Sequence, residues 1–286
     1  MKHTATAMAS CVAAIVISAG CASQAPQTAS TPPGPTAAPR RTARTSAPTL
    51  EAALRDYSRN RSGAQLPRLI GQLDGFAARM SDDELQPGAL MPLVGFFCHA
   101  LHDNPARLME CAERIGKIAD PRMRHAMTAA VYLSGCQDAT IAFLRLLEGI
   151  PMDSQLRTAQ MPPPRLDAAI EGNLVSTEQI DYCWGAYLAT GDVDYALRVF
   201  ERAVDSPEHP EKINGEVVDA AGNAARWSTI SFMQTDEAVR QAVNSRLLVA
   251  PQELLADFTK GVDKAALAVI LDGDIRERLE GPGADE

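Results

Sequence analysis

No acidic residue occurs before Glu51, although the chain of 286 residues carries 36 Asp and Glu against 27 Lys and Arg. Lys2, Arg40, Arg41 and Arg44 lie ahead of that point, so the remainder holds 23 cations against all 36 anions, a net charge of −13. Nucleic-acid binding draws its affinity from neutralising phosphates with Lys and Arg, which excludes a body this acidic from that class. Also missing is an apolar run of the roughly 20 residues that a helix needs to cross a bilayer. The chain contains no Gly-x-Ser-x-Gly elbow, no phosphate-cradling Gly-rich loop and no His-Glu-x-x-His helix, which removes the usual hydrolase, nucleotide and zinc-protease signals. Alternating apolar and polar residues, the mark of a half-buried strand, do not compete with helical spacing anywhere.

What the chain does have begins at its start. Lys2, the apolar stretch 5–17 and the small residues Ser18, Ala19 and Gly20 before Cys21 supply the positive start, short apolar segment and small-residue cut of an export signal. Ala19-Gly20-Cys21 after the apolar residues 15–17 resembles a bacterial lipoprotein signal, with Ser18 where that family usually carries Leu. The resemblance implies that 1–20 is removed and that Cys21 becomes a diacylglyceryl-bearing first residue. Ala22 and Ser23 follow it with no Asp, which in Gram-negative lipoproteins implies the outer membrane, facing the periplasm. Ordinary cleavage near Ala19 or Ala22 is the competing reading, giving a soluble periplasmic or secreted protein.

Residues 22–49 are built of Ala, Thr, Ser, Gln and Pro, including Pro26, Pro32, Pro33, Pro35, Pro39 and Pro48. Such a stretch buries too little apolar surface to offset its ordering entropy, so a disordered linker is expected. In polyproline form it reaches roughly 85 Å, and as a flexible coil about 30 Å. Arg40, Arg41 and Arg44 read as a solvated charge run within it. The division expected is therefore 1–20 signal, 21–49 acylated Cys and linker, 50–280 helical domain and 281–286 disordered tail.

With Cys11 in the leader and Cys21 as the anchor, Cys98, Cys111, Cys136 and Cys183 remain, an even number in a compartment that permits disulfides. Cys98 and Cys111 lie symmetrically about Asn104-Pro105, where an N-cap residue and a first-turn proline predict a chain reversal. Antiparallel helices joined there place the two at similar height, so Cys98 with Cys111 is the favoured pair and Cys136 with Cys183 the remainder. Cys98, His102 and Cys111 also form a three-ligand set, one short of a structural zinc site, and no metal or other cofactor is expected.

Helix starts are predicted at the Ser81–Glu84 capping box, at Asp120-Pro121, at Ser176 with Gln179, and at Thr235. The clearest unit runs over 177–207. Ala186-Tyr187, Gly191-Asp192, Ala196, Phe200, Ala203 and Pro207 resemble the tetratricopeptide pattern of two antiparallel helices. By that resemblance Tyr187 and Phe200 fill the space between the helices, Gly191 allows the reversal, and Ala196 and Ala203 permit close packing. The unit departs in Ile180 where Trp is usual, Trp184 where a small residue is usual, and Pro207 one residue early. Weaker echoes run from Gly95-Phe96-Phe97 through Asn104-Pro105, and from Ala130 through Gly135 to Leu144. A later pair covers 217–232 and 236–248, and an insert sits around Pro162-Pro163-Pro164. The fold expected is all-α, an irregular array of antiparallel helical hairpins over about 90–250.

Asp192 and Asp194 near Glu201 are weighed as an acid–base pair and read as helix-end residues. Asp272-Gly273-Asp274 reads as a helix break, His209 as a turn residue, and Trp184 and Trp227 as core. The function expected is a lipid-anchored envelope protein, not an enzyme, whose helical-repeat domain binds an envelope protein or peptide. The alternatives are an enzyme acting on envelope polymers and a secreted, unlipidated factor. Mass spectrometry of the mature protein is expected to find Cys21 first and diacylglyceryl-modified; an unmodified Cys21 would defeat the anchor.

Overall fold

The computed structural model describes residues 49–147, 165–205, 211–213 and 216–280. The expected leader with Cys21, the expected linker up to residue 48, the insert around Pro162-Pro163-Pro164, residues 206–210 with Pro207 and His209, and residues 281–286 lie outside the described residues. The first half holds α1 (Leu50–Asn60), α2 (Leu66–Gly71), α3 (Leu73–Ala77), α4 (Met91–His102), α5 (Leu108–Ile115), α6 (Pro121–Leu133) and α7 (Ala139–Leu146). The second holds α8 (Thr177–Thr190), α9 (Val193–Val204), α10 (Ala220–Thr235), α11 (Glu237–Leu247), α12 (Gln252–Thr259), α13 (Lys264–Ile270) and α14 (Gly273–Glu280). Between α9 and α10, β1 (Glu211–Ile213) pairs antiparallel with β2 (Glu216–Val218), a ladder too short to leave an alternating pattern in the sequence. No helix among the described residues is long and apolar enough to cross a membrane.

Two helices form the spine. In α4 every residue from Pro92 to Leu101 is buried, and in α8 Ile180, Tyr182, Cys183, Trp184, Gly185, Ala186, Tyr187 and Ala189 are. A helix apolar all round is covered on all sides. Gly95 and Gly185 are where the two backbones touch: a Cβ on Gly95 would stand 2.2 Å from the Tyr182 carbonyl oxygen, and one on Gly185 would stand 2.1 Å from that of Pro92. The helices run in the same direction. Gly88 lies beside Glu178 at their N-terminal ends, while Asn104 and Gly191 at the other ends meet Gly63 and Arg61 of the segment after α1.

The remaining helices are arranged on this pair. α4 packs on α6 as well as α8, and α8 packs on α1, α9 and α10, so α4 lies between α6 and α8 out of chain order. Trp184, which the tetratricopeptide register places at a small-residue position, instead stacks flat on Phe232 of α10, with centroids 3.8 Å apart and planes 5° apart. The close approach falls one residue later, at Gly185, and toward α4 rather than α9. Tyr187 also turns its ring to Phe232 at 6.1 Å, and Phe200 meets Phe258 of α12 at 5.3 Å, so both aromatics reach beyond the α8–α9 pair. Ala196 is fully buried, and Ala203 is partly buried against the core.

Several helix ends follow the sequence. Asp120 accepts from the Arg122 and Met123 amides at the start of α6, and Ser176 and Gln179 form a capping box on α8. Gly191, at φ +67°, closes α8, and Asp192 caps α9 at once by accepting from the Asp194 amide. Ser81 and Glu84 do bond reciprocally, but only a turn forms before Pro87. The cap of α11 is Asp236 rather than Thr235. Asn104 caps nothing; its amide donates to Ala100 O and Tyr57 Oη.

Because backbone rather than side-chain atoms meet at the α4–α8 contact, Gly185→Ala is expected to cost about 3 kcal/mol or more. Gly71→Ala, at a helical position with nothing within 4 Å of the added carbon, is expected to stabilise by up to about 1 kcal/mol. Urea denaturation of the two variants checks both.

Candidate functional site

All four cysteines of the domain are buried free thiols, so neither Cys98 with Cys111 nor Cys136 with Cys183 is bonded. The packing explains it for the favoured pair. α5 turns away from α4 to pack on α2, α6 and α7, so the two residues do not face each other across a hairpin. The Cys98 sulfur meets Tyr182 Oη at 3.0 Å, and Cys136 donates to Leu101 O at 3.4 Å. Burial pushes the Cys98, Cys111 and Cys183 thiols up to about 12 and raises Cys136 as well, which keeps them protonated and unreactive. His102 Nδ1 lies 2.8 Å from Ser134 O. Among the described residues no three metal-ligating side chains converge.

Asp192 is committed to the α9 cap, and Asp194 sits in that helix's first turn. Asp272 precedes α14, and its carbonyl accepts from Ile275 and Arg276, the helix break expected there. Trp184 is wholly buried, but Trp227 is 46% exposed, contrary to its reading as core. The apolar stripe of α10 carries Ala221, Ala225, Ile230, Phe232 and Met233 inward, and Trp227 falls off it. Arg226 lies over the Trp227 ring at 5.0 Å while its Nε donates to Phe258 O at 2.8 Å, so a rigid cation–π pair is held on the surface.

A polar cluster that the sequence did not suggest joins α4, α9 and the 165–172 turn. His99 of α4 is 1% exposed, with Nε2 3.2 Å from Asp167 Oδ1 but off the line of a hydrogen bond. Its Nδ1 lies 3.3 Å from Tyr195 Oη of α9. Tyr195 is 3.2 Å and 3.1 Å from Asp167 Oδ1 and Oδ2. Asp167 sits in the left-handed region at φ +67°, at the head of a short turn that buries Ile170. Arg198 reaches from α9 to the Ile170 and Gly172 carbonyls, and Gln179 to that of Ala169, fixing the same turn. Burial raises the Asp167 carboxyl, but His99, Tyr195 and Arg198 together outweigh it and hold it below the usual carboxylate range. Burial and the adjacent carboxylate push the Tyr195 phenol up, so its hydroxyl stays a donor. His99 and Asp167 come from segments far apart in the chain, and only the unusual backbone at Asp167 marks the contact.

Asp181 is the carboxyl raised furthest among the described residues. Burial, with Glu178 three residues before it, pushes the Asp181 carboxyl on α8 up to about 7. Comparison of the chain with protein-family models, curated proteins and solved structures finds no match.

A carboxyl whose folded value is raised stabilises the fold fully below the ordinary carboxylate range and loses that contribution as pH rises through about 7. Asp181→Asn is therefore expected to leave stability unchanged near pH 4 and raise it by about 2 kcal/mol at pH 8. Thermal denaturation across that range tests it; equal effects at both ends would reject it.

Proposed function

We propose that the chain is an exported envelope protein, anchored by lipid on Cys21 and facing the periplasm from the outer membrane, whose helical body binds another envelope protein or peptide. The observation that carries the binding part is Trp227, held at the surface beneath Arg226. Trp and Arg are the residues most enriched among interface anchors, and a pre-ordered pair loses little side-chain entropy on docking. The anchoring part is supported by Ala19-Gly20-Cys21 and by the linker that separates it from the helical body.

The hairpin-array reading belongs to this proposal too. Its support is that α6 with α7, α8 with α9, and α10 with α11 each pack on their chain neighbour. The position of α4 between α6 and α8 makes the array irregular rather than a simple stack in chain order. A second reading, an enzyme acting on envelope polymers, is favoured by the raised Asp181 carboxyl alone. Glycoside cleavage needs two opposed carboxylates, whereas Glu178 lies on the same helix as Asp181.

A photo-crosslinker at Asn223, one helical turn before Trp227, is expected to capture one recurring partner in envelope membranes. Trp227→Ala is expected to cut that capture at least about tenfold, the loss of an anchor residue, with unchanged circular dichroism. Capture that survives Trp227→Ala would reject this surface as the docking site.

A further inference from the structure

α10 turns an uncharged ridge to the solvent. Ala220, Asn223, Trp227 and Gln234 are exposed along it, Ala224 and Ser231 are partly exposed, and none of them carries a charge. Arg226 is the one charged residue of the helix, and it bends away to the Phe258 and Lys260 carbonyls while its guanidinium stands 5.0 Å from the centre of the Trp227 ring, on one face. A surface helix ordinarily meets water with charged side chains, and the chain from Glu51 onward sets 36 anions against 23 cations. The ridge therefore suits a neutral chain lying along it. Charge returns beside it: Glu253 and Asp257, four residues apart on α12, are both exposed, and Asp257 is the chain neighbour of Phe258, whose carbonyl Arg226 holds.

One segment of this chain complements both features. Residues 31–44 hold Pro32, Pro33, Pro35 and Pro39, then Arg40, Arg41 and Arg44, with Thr, Ala and Gly between them and no acidic residue. Prolines favour the polyproline conformation before any contact is made, so they dock on exposed aromatic rings at small entropic cost. The arginines complement the α12 carboxylates, and the field of the acidic body attracts them. The segment also has the length to arrive. α1 packs on α8 and α8 on α10, which at about 9 Å between packed axes puts α10 within about 20 Å of α1. From Pro39 to Leu50 the chain spans roughly 34 Å in polyproline form. We propose that residues 31–44 lie along the α10 ridge of their own chain, prolines against the open face of Trp227 and arginines toward Glu253 and Asp257, and so contest that surface with the partner. Being tethered, the segment acts at an effective concentration on the order of millimolar, and a partner must displace it to dock. The inference rests on the reading of Trp227 as a docking surface.

Acrylamide quenching of tryptophan fluorescence in the mature chain reads this contact, because Trp184 is wholly buried and Trp227 is the only other tryptophan. Two variants alter the segment and no residue of the helical body: Arg40→Ser/Arg41→Ser/Arg44→Ser, and Pro32→Ser/Pro33→Ser/Pro35→Ser/Pro39→Ser. The quenching constant is expected to rise about twofold in each, as uncovering the second face of the ring requires. A synthetic 31–44 peptide added to the proline variant at about 1 mM, a concentration like that of the tethered segment, should bring the constant back down. Equal constants in all three chains would overturn the proposal, and so would a peptide without effect. Shielding that disappears on dilution would hand the ridge to the segment of a neighbouring copy and reject the assignment within one chain. The partner reading fails separately: capture at Asn223 that depends on Trp227, in chains whose quenching constants are all equal, keeps the partner and removes the segment, while shielding without such capture does the reverse.

Discussion

The backbone contact between α4 and α8 sets the terms for the rest of the molecule. Gly95 and Gly185 remove the side chains that would otherwise separate the helices, and the two then cover each other's apolar faces along much of their length. Dispersion and burial hold most of such a crossing, since both helices already satisfy their own amides internally, and the Cys98–Tyr182 contact adds one side-chain hydrogen bond across it. Every neighbour is placed relative to it. α6 lies against the far side of α4; α1, α9 and α10 lie against α8; and Trp184 can stack on Phe232 because Gly185, not Trp184, occupies the crossing.

Around that spine the ends of shorter elements are fastened by arginines rather than by apolar contacts alone. Arg226 donates to the Phe258 and Lys260 carbonyls at the end of α12, and Arg278 to the Leu247 and Ala250 carbonyls at the end of α11. Arg198 does the same for the turn that carries Asp167. Carbonyls at a helix C-terminus lack intrahelical donors and carry partial negative charge, so a guanidinium satisfies both needs at once. An acidic body thus spends part of its small stock of cations on its own backbone.

Local signals in the sequence translate well into this structure, and long-range ones do not. Asp120, the Ser176–Gln179 box and Gly191-Asp192 end or begin helices as their chemistry dictates, because capping is decided within four residues. The Cys98–Cys111 expectation failed for a different reason. Symmetry about a turn predicts a meeting only if the two helices pack on each other, and α5 packs elsewhere. Trp227 shares the general apolar character of α10, yet a displacement around the helix axis puts it outside. Gly185 was concealed by its neighbour, since a repeat register read from Trp184 assigns the close contact one residue too early. His99 with Asp167 left no sequence trace at all, for neither residue has a local reason to be where it is.

The place of α4 between α6 and α8 also governs how the chain can reach this state. A helix buried on nearly every side offers apolar surface all round, and its largest covering partner, α8, begins only at Thr177, well after α4 ends at His102. Closing that contact requires a long loop to be ordered first, which slows folding and leaves the apolar helix uncovered meanwhile. A chain emerging from its N-terminus therefore presents α4 long before it can shelter it. During that interval the segment most central to the finished fold is also the one most exposed to wrong partners.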